Sequence, residues 1–229
     1  MHTFPSFIRR GAKLSAGIAV VALAAAAPAK AAANLFVNGS FETPNINYQA
    51  LGGGSTVITG WTTVLSGVEH FNVPANGVGA AADGVMAVDL ANFTYLTGGG
   101  LEQAVPTTPG QSYDVSFSAG NSLSSGRTGT GIVKVTTDGI TTQSFATAVA
   151  TTATMAWAVR SFSFVATGSS TMIRFWNDQN PNFYFADLDG VIVTASVPEA
   201  QSWAMLAAGL AIIGACLRRT TGKGRAACN

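Results

Sequence analysis

Short apolar stretches separated by polar turns run through the middle of the chain, from residue 34 to residue 196. The stretches are rich in Val, Phe, Tyr, Trp and Thr, and clusters of Gly, Asn, Pro and Ser separate them, which is typical of strands and turns. No long segment of this region has the 3.6-residue period of an amphipathic helix. The pattern predicts eight strands, which are Val57–Val64, Val85–Leu90, Leu101–Val105, Tyr113–Ala119, Ile132–Thr137, Ala156–Val165, Thr171–Phe175 and Tyr184–Thr194.

Two of these strands also show where they lie in a sheet. Tyr113–Ser118 alternates strictly between apolar and polar residues, so one of its faces is expected to be in solvent. Phe185–Val193 is apolar on both faces apart from Asp187 and Asp189, which predicts a central strand. Eight strands at this spacing predict an all-β body, a two-sheet β-sandwich of the jelly-roll type.

Residues 1–33 have the order of features of a secretory signal peptide. Arg9, Arg10 and Lys13 form a positive region, and the apolar run Leu14–Ala27 follows them. Small residues next to the end of this segment suit cleavage by signal peptidase. We therefore expect the body to be exported by the general route, although the paired arginines leave a twin-arginine route open.

A second apolar run, Trp203–Leu217, lies near the C-terminus and is followed directly by Arg218 and Arg219. The run has no polar face, which favours a transmembrane helix over an amphipathic core helix. Its length of about 22 Å is short for a hydrocarbon core of about 30 Å, but a terminal Trp and snorkelling arginines extend its reach. The positive-inside rule places Arg218 and Arg219 in the cytoplasm, as a membrane stop, and the body on the other side.

The sequence Val197-Pro198-Glu199 precedes this apolar run, and Ala200 follows the motif. Together, residues 197–229 resemble the PEP-CTERM sorting signal, although Ala200 stands where that motif usually has a second proline. The resemblance implies a Gram-negative bacterium that makes exopolysaccharide, and an exosortase, a membrane transpeptidase that cuts near Pro-Glu. It also implies a body held first at the inner membrane on the periplasmic side, and later on the cell surface or in an extracellular (biofilm) matrix.

The charge and the rarer residue types narrow the chemistry of the body. Residues 34–196 hold four Lys and Arg against ten Asp and Glu, a net charge of −6, which argues against nucleic acid as a partner. Both cysteines, Cys216 and Cys228, lie in the tail. The body therefore cannot hold a disulfide or a thiolate metal site, and because His70 is its one histidine it cannot hold a multi-histidine zinc site.

Short motifs follow one another through the body in a characteristic order. They begin with N-L-F-V-N-G-S-F-E-T-P at 34–44 and Gly-Trp at 60–61, and they end with L-D-G-V-I-V at 188–193. Between them stand V-E-H-F, D-G-V-M-A-V-D-L, G-L-E-Q and P-G-Q-S-Y-D-V-S-F. This order resembles galactose-binding-like β-sandwiches, especially a cell-wall-associated family of unknown function, and carbohydrate-binding modules share its opening and closing strands. The resemblance implies non-catalytic polysaccharide binding.

The same resemblance implies a structural calcium ion. In this superfamily an acid of the opening motif and the first acid of the closing strand often share Ca²⁺, and the matching residues are Glu42 and Asp189. Gly190 stands where a second acid or an amide is usual. The alternative is that Asp189 caps a strand edge and that Glu42 is solvated.

The segment Trp176–Tyr184 joins two apolar strands and is rich in rings and amides. An aromatic platform beside amide and carboxylate groups is a usual means of holding a sugar. Phe93 and Tyr95 form a second such loop near Asp89. The alternative is a polar turn whose Trp lies in the core. The candidate carbohydrate-binding residues are Trp176, Asn177, Asp178 and Tyr184.

These observations predict a protein that is not an enzyme. Asp187 and Asp189 stand about 6.6 Å apart on one strand, but glycosidase carboxylates normally flank a cleft from different strands. The leading hypothesis is an exported matrix protein that binds polysaccharide. The alternative is a purely structural matrix or adhesion protein without a sugar site. An ice-binding role is not favoured, because Thr141–Thr154 lacks a fixed repeat.

Overall fold

The computed structural model describes residues 33–92, 94, 98–196 and 207–214. The predicted signal peptide lies outside this part of the chain except for its last residue, so its prediction is not tested. Other predicted residues outside the described ranges are Val197, Pro198, Glu199, Arg218, Arg219, Phe93 and Tyr95.

Strands dominate the described part of the body. The first six are β1 (Tyr48–Leu51), β2 (Thr62–Leu65), β3 (Val68–Asn72), β4 (Met86–Asp89), β5 (Gly99–Pro106) and β6 (Ser112–Asn121). The others are β7 (Ile132–Thr137), β8 (Thr141–Ala146), β9 (Ala156–Val165), β10 (Ser170–Trp176) and β11 (Asp187–Ala195). A short 3₁₀ helix, Ser124–Gly126, follows β6.

The strands form two antiparallel sheets. The six-stranded sheet has the order β1-β3-β4-β11-β6-β9, and the five-stranded sheet has the order β2-β5-β10-β7-β8. The predicted all-β sandwich is therefore confirmed. The predicted central position of β11 is also confirmed, because β11 lies between β4 and β6.

The core lies between the sheets and is rich in aromatic rings. Trp61 is only 2 % exposed, and its ring stacks on Phe36 with centroids 5.0 Å apart. Phe117 and Phe175 meet edge to face at 5.3 Å in the same core. Large rings of this kind supply much of the apolar area that a disulfide-free body must bury.

The opening segment of the body lies along β11. The Leu35 amide donates to the Val193 carbonyl at 2.9 Å, and the Val191 amide donates to the Gly39 carbonyl at 2.8 Å. These bonds connect the two ends of the sandwich, as the motif order predicts.

The strand predictions hold unevenly. β7 and β9 have the predicted bounds. The predicted strand Val57–Val64 is shorter in the structure and runs from Thr62 to Leu65. Its first half forms a turn, in which the Trp61 amide donates to the Ile58 carbonyl at 3.0 Å. The last strand begins at Asp187 and not at Tyr184. β1, β3 and β8 were not among the eight predicted strands. β1 is four residues long and β8 is largely exposed at a sheet edge, so neither has a clear apolar face.

Residues 207–214 form a helix inside the predicted membrane segment 203–217. Among the described residues, no helix is long and apolar enough to cross a membrane. The remainder of 203–217 lies outside the described residues, so the transmembrane helix stays a prediction.

Candidate functional site

Three acidic residues form a row across the six-stranded sheet. Glu69 of β3 pairs with Asp89 of β4, and Asp89 pairs with Asp187 of β11. The row continues through Gly120 of β6 to Trp157 of β9. Residues that stand opposite one another on antiparallel strands share a face of the sheet. Their chain neighbours point into the core, so the row lies on the outer face.

A cleft of about 270 Å³ lies over this row. Aromatic rings, carboxylates and serine hydroxyls line it together, with a few apolar side chains. The lining residues are Tyr48, Glu69, Phe71, Asn76, Val78, Asp89, Ser122, Ser124, Ser125, Met155 and Phe185.

A buried ion pair lies at one end of the cleft, where Asp89 lines the cleft and Arg127 lines an adjoining pocket of about 160 Å³. Arg127 Nη1 lies 3.1 Å from Asp89 Oδ2, and both side chains are almost completely buried. Arg127 Nε donates to the Pro181 carbonyl at 2.6 Å, and the guanidinium carbon lies 3.5 Å from the centroid of the Phe185 ring. A buried ion pair is stable only when further hydrogen bonds satisfy its members, and these contacts do so. They also hold the Phe185 ring in place.

Asp187 lies next to this ion pair and has no comparable partner. It is fully buried, and neither of its carboxylate oxygens has a hydrogen-bond partner. Burial, followed by the charge of Asp89, raises the pKa of Asp187 well above its ordinary value. Gly120 makes room for it, because a Cβ there would lie 2.9 Å from the Asp187 Cβ and 2.5 Å from the Trp157 ring. Burial without a partner therefore favours the neutral form of the Asp187 carboxyl under the cleft.

An accessible ring and an accessible carboxylate stand together at the cleft mouth. Tyr48 is 48 % exposed, and its hydroxyl lies 3.3 Å from Thr94 Oγ1. Glu69 is half-buried, and its Oε1 accepts hydrogen bonds from the Thr94 amide and hydroxyl, each at 3.1 Å. This arrangement can stack against one face of a ligand ring and accept hydrogen bonds from its polar edge.

Trp176, the first candidate sugar platform, is the last residue of β10 in the five-stranded sheet, and so not on the sheet that carries the cleft. Its indole N–H donates to Thr136 Oγ1 at 3.0 Å, and Lys134 Nζ lies 4.7 Å from the ring centroid. The ring is half-buried on the outer face of the sheet and not in the core. A role in sugar binding for Trp176 stays a prediction.

The other three candidates of this segment differ in their surroundings, and Asp178 lies near Trp176 because both contact Lys134. Asn177 is fully buried, and its amide donates to the Ile132 carbonyl at 2.6 Å, so it is a structural residue that no ligand can reach. Asp178 is exposed and forms an ion pair with Lys134 at 2.6 Å. Tyr184 forms an isolated bridge with Gly129. The predicted loop is therefore held against β7 and the residues that precede β7.

Glu42 and Asp189 both hold the segment 82–86. Asp189 Oδ2 accepts from the Ala82 and Asp83 amides at 2.8 Å, and its Oδ1 accepts from the Gly190 amide at 2.6 Å. Glu42 Oε1 accepts from the amides of residues 85 and 86, each at 2.7 Å. Burial raises the pKa of Asp189 to about 7, although its three amide donors favour the charged form. Together the two carboxylates form a clamp on this segment.

Calcium fits this clamp poorly. Ca²⁺ takes six to eight oxygen ligands, whereas the amide groups that face Glu42 and Asp189 are hydrogen-bond donors. Within the described ranges, no group of three or more His, Cys, Asp or Glu residues is placed to hold a metal ion. The geometry gives both carboxylates a role without metal, and the calcium site stays a prediction.

Sequence analysis did not identify the cleft residues Tyr48, Glu69 and Arg127 as a site. The available signal was a polar residue at an alternate position of an otherwise apolar strand, as in V-E-H-F at Val68–Phe71. Such a residue shows that a strand has a second face, but not which strand lies beside it.

Solved carbohydrate-binding modules are similar to the chain in fold. One is TmCBM61 in complex with β-1,4-galactotriose, with 17 % identity, a TM-score of 0.43, and coverage of 72 % of this chain and 99 % of that one. A family 35 module from Clostridium thermocellum has 20 % identity, a TM-score of 0.38 and coverage of 52 % and 85 %. A CBM22-1 xylan-binding domain from Paenibacillus barcinonensis Xyn10C has 15 % identity, a TM-score of 0.38 and coverage of 65 % and 92 %.

The family of the chain follows from a comparison of its sequence with known protein families. No curated protein sequence matches the chain. Residues 34–193, most of the chain and nearly the whole sandwich, match a protein family of unknown function. The chain therefore belongs to the family DUF642.

Proposed function

We propose that this chain is a non-catalytic carbohydrate-binding protein and that the cleft on the six-stranded sheet holds the sugar. The observation that carries the proposal is the exposed Tyr48 ring next to the accessible Glu69 carboxylate. A sugar has an apolar face that packs on a ring and a polar edge that donates to carboxylates, and the cleft offers both partners.

The cleft is built before any ligand arrives. The Arg127–Asp89 ion pair and the contact of Arg127 with Phe185 fix the floor from the loop that follows β6. A preformed site loses less conformational entropy on binding. The volume of about 270 Å³ is small for a pocket that encloses a ligand. It suits a few units of a polysaccharide that crosses the surface.

The burial of the acids favours binding without catalysis. Asp89 Oδ2 is engaged by Arg127 and its Oδ1 accepts from the Ala91 amide, while Asp187 is closed off from solvent. A glycosidase needs two carboxyl groups that both reach the scissile bond. Glu69 alone is accessible among the three acids of the row.

The sequence patterns outside the sandwich support a cellular location for this binding. The signal-peptide pattern of residues 1–33 and the PEP-CTERM resemblance of residues 197–229 support export, processing by signal peptidase and an exosortase, and delivery to the cell surface or an exopolysaccharide matrix. In this proposal the chain links such a matrix to the cell, first from the inner membrane.

Paired aromatic variants test where the sugar binds. Tyr48→Ala removes the exposed ring of the cleft, and Trp176→Ala removes the half-buried ring of the other sheet. We expect Tyr48→Ala to abolish retention of the full-length chain on a panel of immobilised polysaccharides, and Trp176→Ala to leave it unchanged. Loss with Trp176→Ala alone would move the site to the five-stranded sheet. Retention of neither variant nor wild type on any glycan would refute carbohydrate binding.

A further inference from the structure

The cleft carries a negative charge that the described ion pairs leave unbalanced. Arg127 lies against Asp89, and none of the ion pairs among the described residues includes Glu69. Glu69 Oε1 is held by Thr94, and the side chain is accessible from the cleft. The cleft therefore has a fixed, positioned carboxylate at its mouth.

A second carboxyl group in the same row has no hydrogen-bond partner. Asp187 is fully buried, and both of its oxygens lack a hydrogen-bond partner. A buried polar group without a partner is costly, and its presence in a native structure calls for a reason. Glu69, Asp89 and Arg127 are the charged groups that act on it. A positive charge bound above the row would stabilise the ionised form of Asp187.

We propose that the cleft selects sugars that carry a free ammonium group, so that its ligand class is amino sugars and not neutral or N-acetylated ones. This inference rests on the carbohydrate-binding function proposed above. Glu69 is the specificity-determining residue, and its carboxylate accepts hydrogen bonds from the ammonium group while the sugar ring packs on Tyr48.

The charges of the molecule favour a positively charged sugar over an acidic or a neutral one. A uronic acid would place a carboxylate beside Glu69, and the Arg127 guanidinium that could oppose it is already against Asp89 and Phe185. A neutral sugar would displace part of the water around the Glu69 carboxylate without bringing a positive charge to pair with it. The net charge of −6 on residues 34–196 would also attract a polycation from a distance.

Three tetrasaccharides of the same linkage test this selection on the full-length chain. They are β-1,4-linked tetramers of glucosamine, N-acetylglucosamine and glucose, and calorimetry measures their affinities. We expect the glucosamine tetramer to bind at least ten times more tightly than the other two, and the difference to shrink at high salt.

The matched variants are Glu69→Gln and Glu102→Gln, which make the same change on the two sheets. Glu102 lies on the five-stranded sheet, 2.7 Å from Arg174. The Gln at position 69 keeps an oxygen that can accept from Thr94, so the fold is expected to persist. Glu69→Gln should reduce glucosamine-tetramer affinity about tenfold, to the level of the acetylated tetramer, and Glu102→Gln should not change it.

Each other result has a distinct meaning. Equal binding of all three tetramers would overturn the selection for ammonium and leave carbohydrate binding intact. Equal losses in both variants would show attraction to net charge and would also overturn the role of Glu69. Tetralysine that binds as tightly as the glucosamine tetramer would assign the cleft to basic peptides instead. Binding of no tetramer would refute the proposed function itself.

Discussion

Asp187→Asn is expected to stabilise the protein more strongly as the pH rises. In the folded chain Asp187 is buried without a partner, and burial together with the charge of Asp89 raises its pKa well above the ordinary value. In the unfolded chain the same carboxyl ionises near pH 4. Between these two pKa values the folded state holds one proton more than the unfolded state, so the free energy of unfolding falls as the pH rises.

The size of this effect follows from proton linkage. One extra proton on the folded state lowers the free energy of unfolding by about 1.4 kcal/mol per pH unit. If Asp187 stays protonated in the folded chain from pH 4.5 to 6.5, the loss over this interval is about 2.5 kcal/mol, because the unfolded carboxyl is not fully ionised at the lower end. Asparagine has nearly the same shape and does not titrate, so Asp187→Asn avoids this loss.

Urea unfolding of the full-length chain at pH 4.5, 5.5 and 6.5 measures the effect. The stability difference between Asp187→Asn and wild type is expected to grow with pH by the amount given above, added to a constant offset from the new amide. Val88→Ala, a core substitution in the neighbouring strand, is the control and should give the same difference at each pH. A difference that shrinks with pH would show that Asp187 is ionised in the folded state, and the neutral-acid assignment would be wrong.

Three further perturbations test other parts of the molecule. Asp189→Ala should lower the free energy of unfolding by about 2–4 kcal/mol in the presence of a chelator, because three amides lose their acceptor. If calcium binds here, Ca²⁺ should also raise the melting temperature of the wild type but not that of the variant. Replacing Arg218 and Arg219 with Glu should increase unprocessed secreted protein in an export assay, and an unchanged processing pattern would contradict the membrane stop. Gly120→Ala should cost about 1–3 kcal/mol through overpacking against Trp157, seen as a lower urea midpoint, and a neutral result would show that the ring can move.

The sandwich and the two terminal segments are indicated by different kinds of sequence pattern. The motif order from 34–44 to 188–193 pointed to the sandwich, and the family match over 34–193 agrees with it. The sorting signal and the signal peptide are local patterns of charge and apolar length, so they can be read without a fold. Apart from residues 33 and 207–214, these segments lie outside the described ranges, and their function is left to the export experiment.

Local chemistry along the chain was enough to determine the class of fold. Alternation at Tyr113–Ser118 predicted a strand with one face in solvent, and the apolar Phe185–Val193 predicted a central strand, because burial of one or both faces acts on neighbouring residues of one strand. The sequence Pro106–Gly110 holds residue types that favour a chain reversal, and Gly110 adopts a φ of +80° there. The pattern did not predict β1 and β8, because these strands have no clear apolar face.

Only the tertiary structure determined the site. Glu69, Asp89 and Asp187 are far apart in sequence and meet because the register of β3, β4 and β11 places them opposite one another. A shift of one residue in that register would turn a whole strand over, and no single strand encodes its neighbour's alignment. Arg127 contacts Asp89 from the loop that follows β6. Asn177, which the sequence indicated as a ligand contact, is buried and donates to the Ile132 carbonyl. The sequence therefore determined which residues could bind, and long-range packing decided which of them face a common cleft.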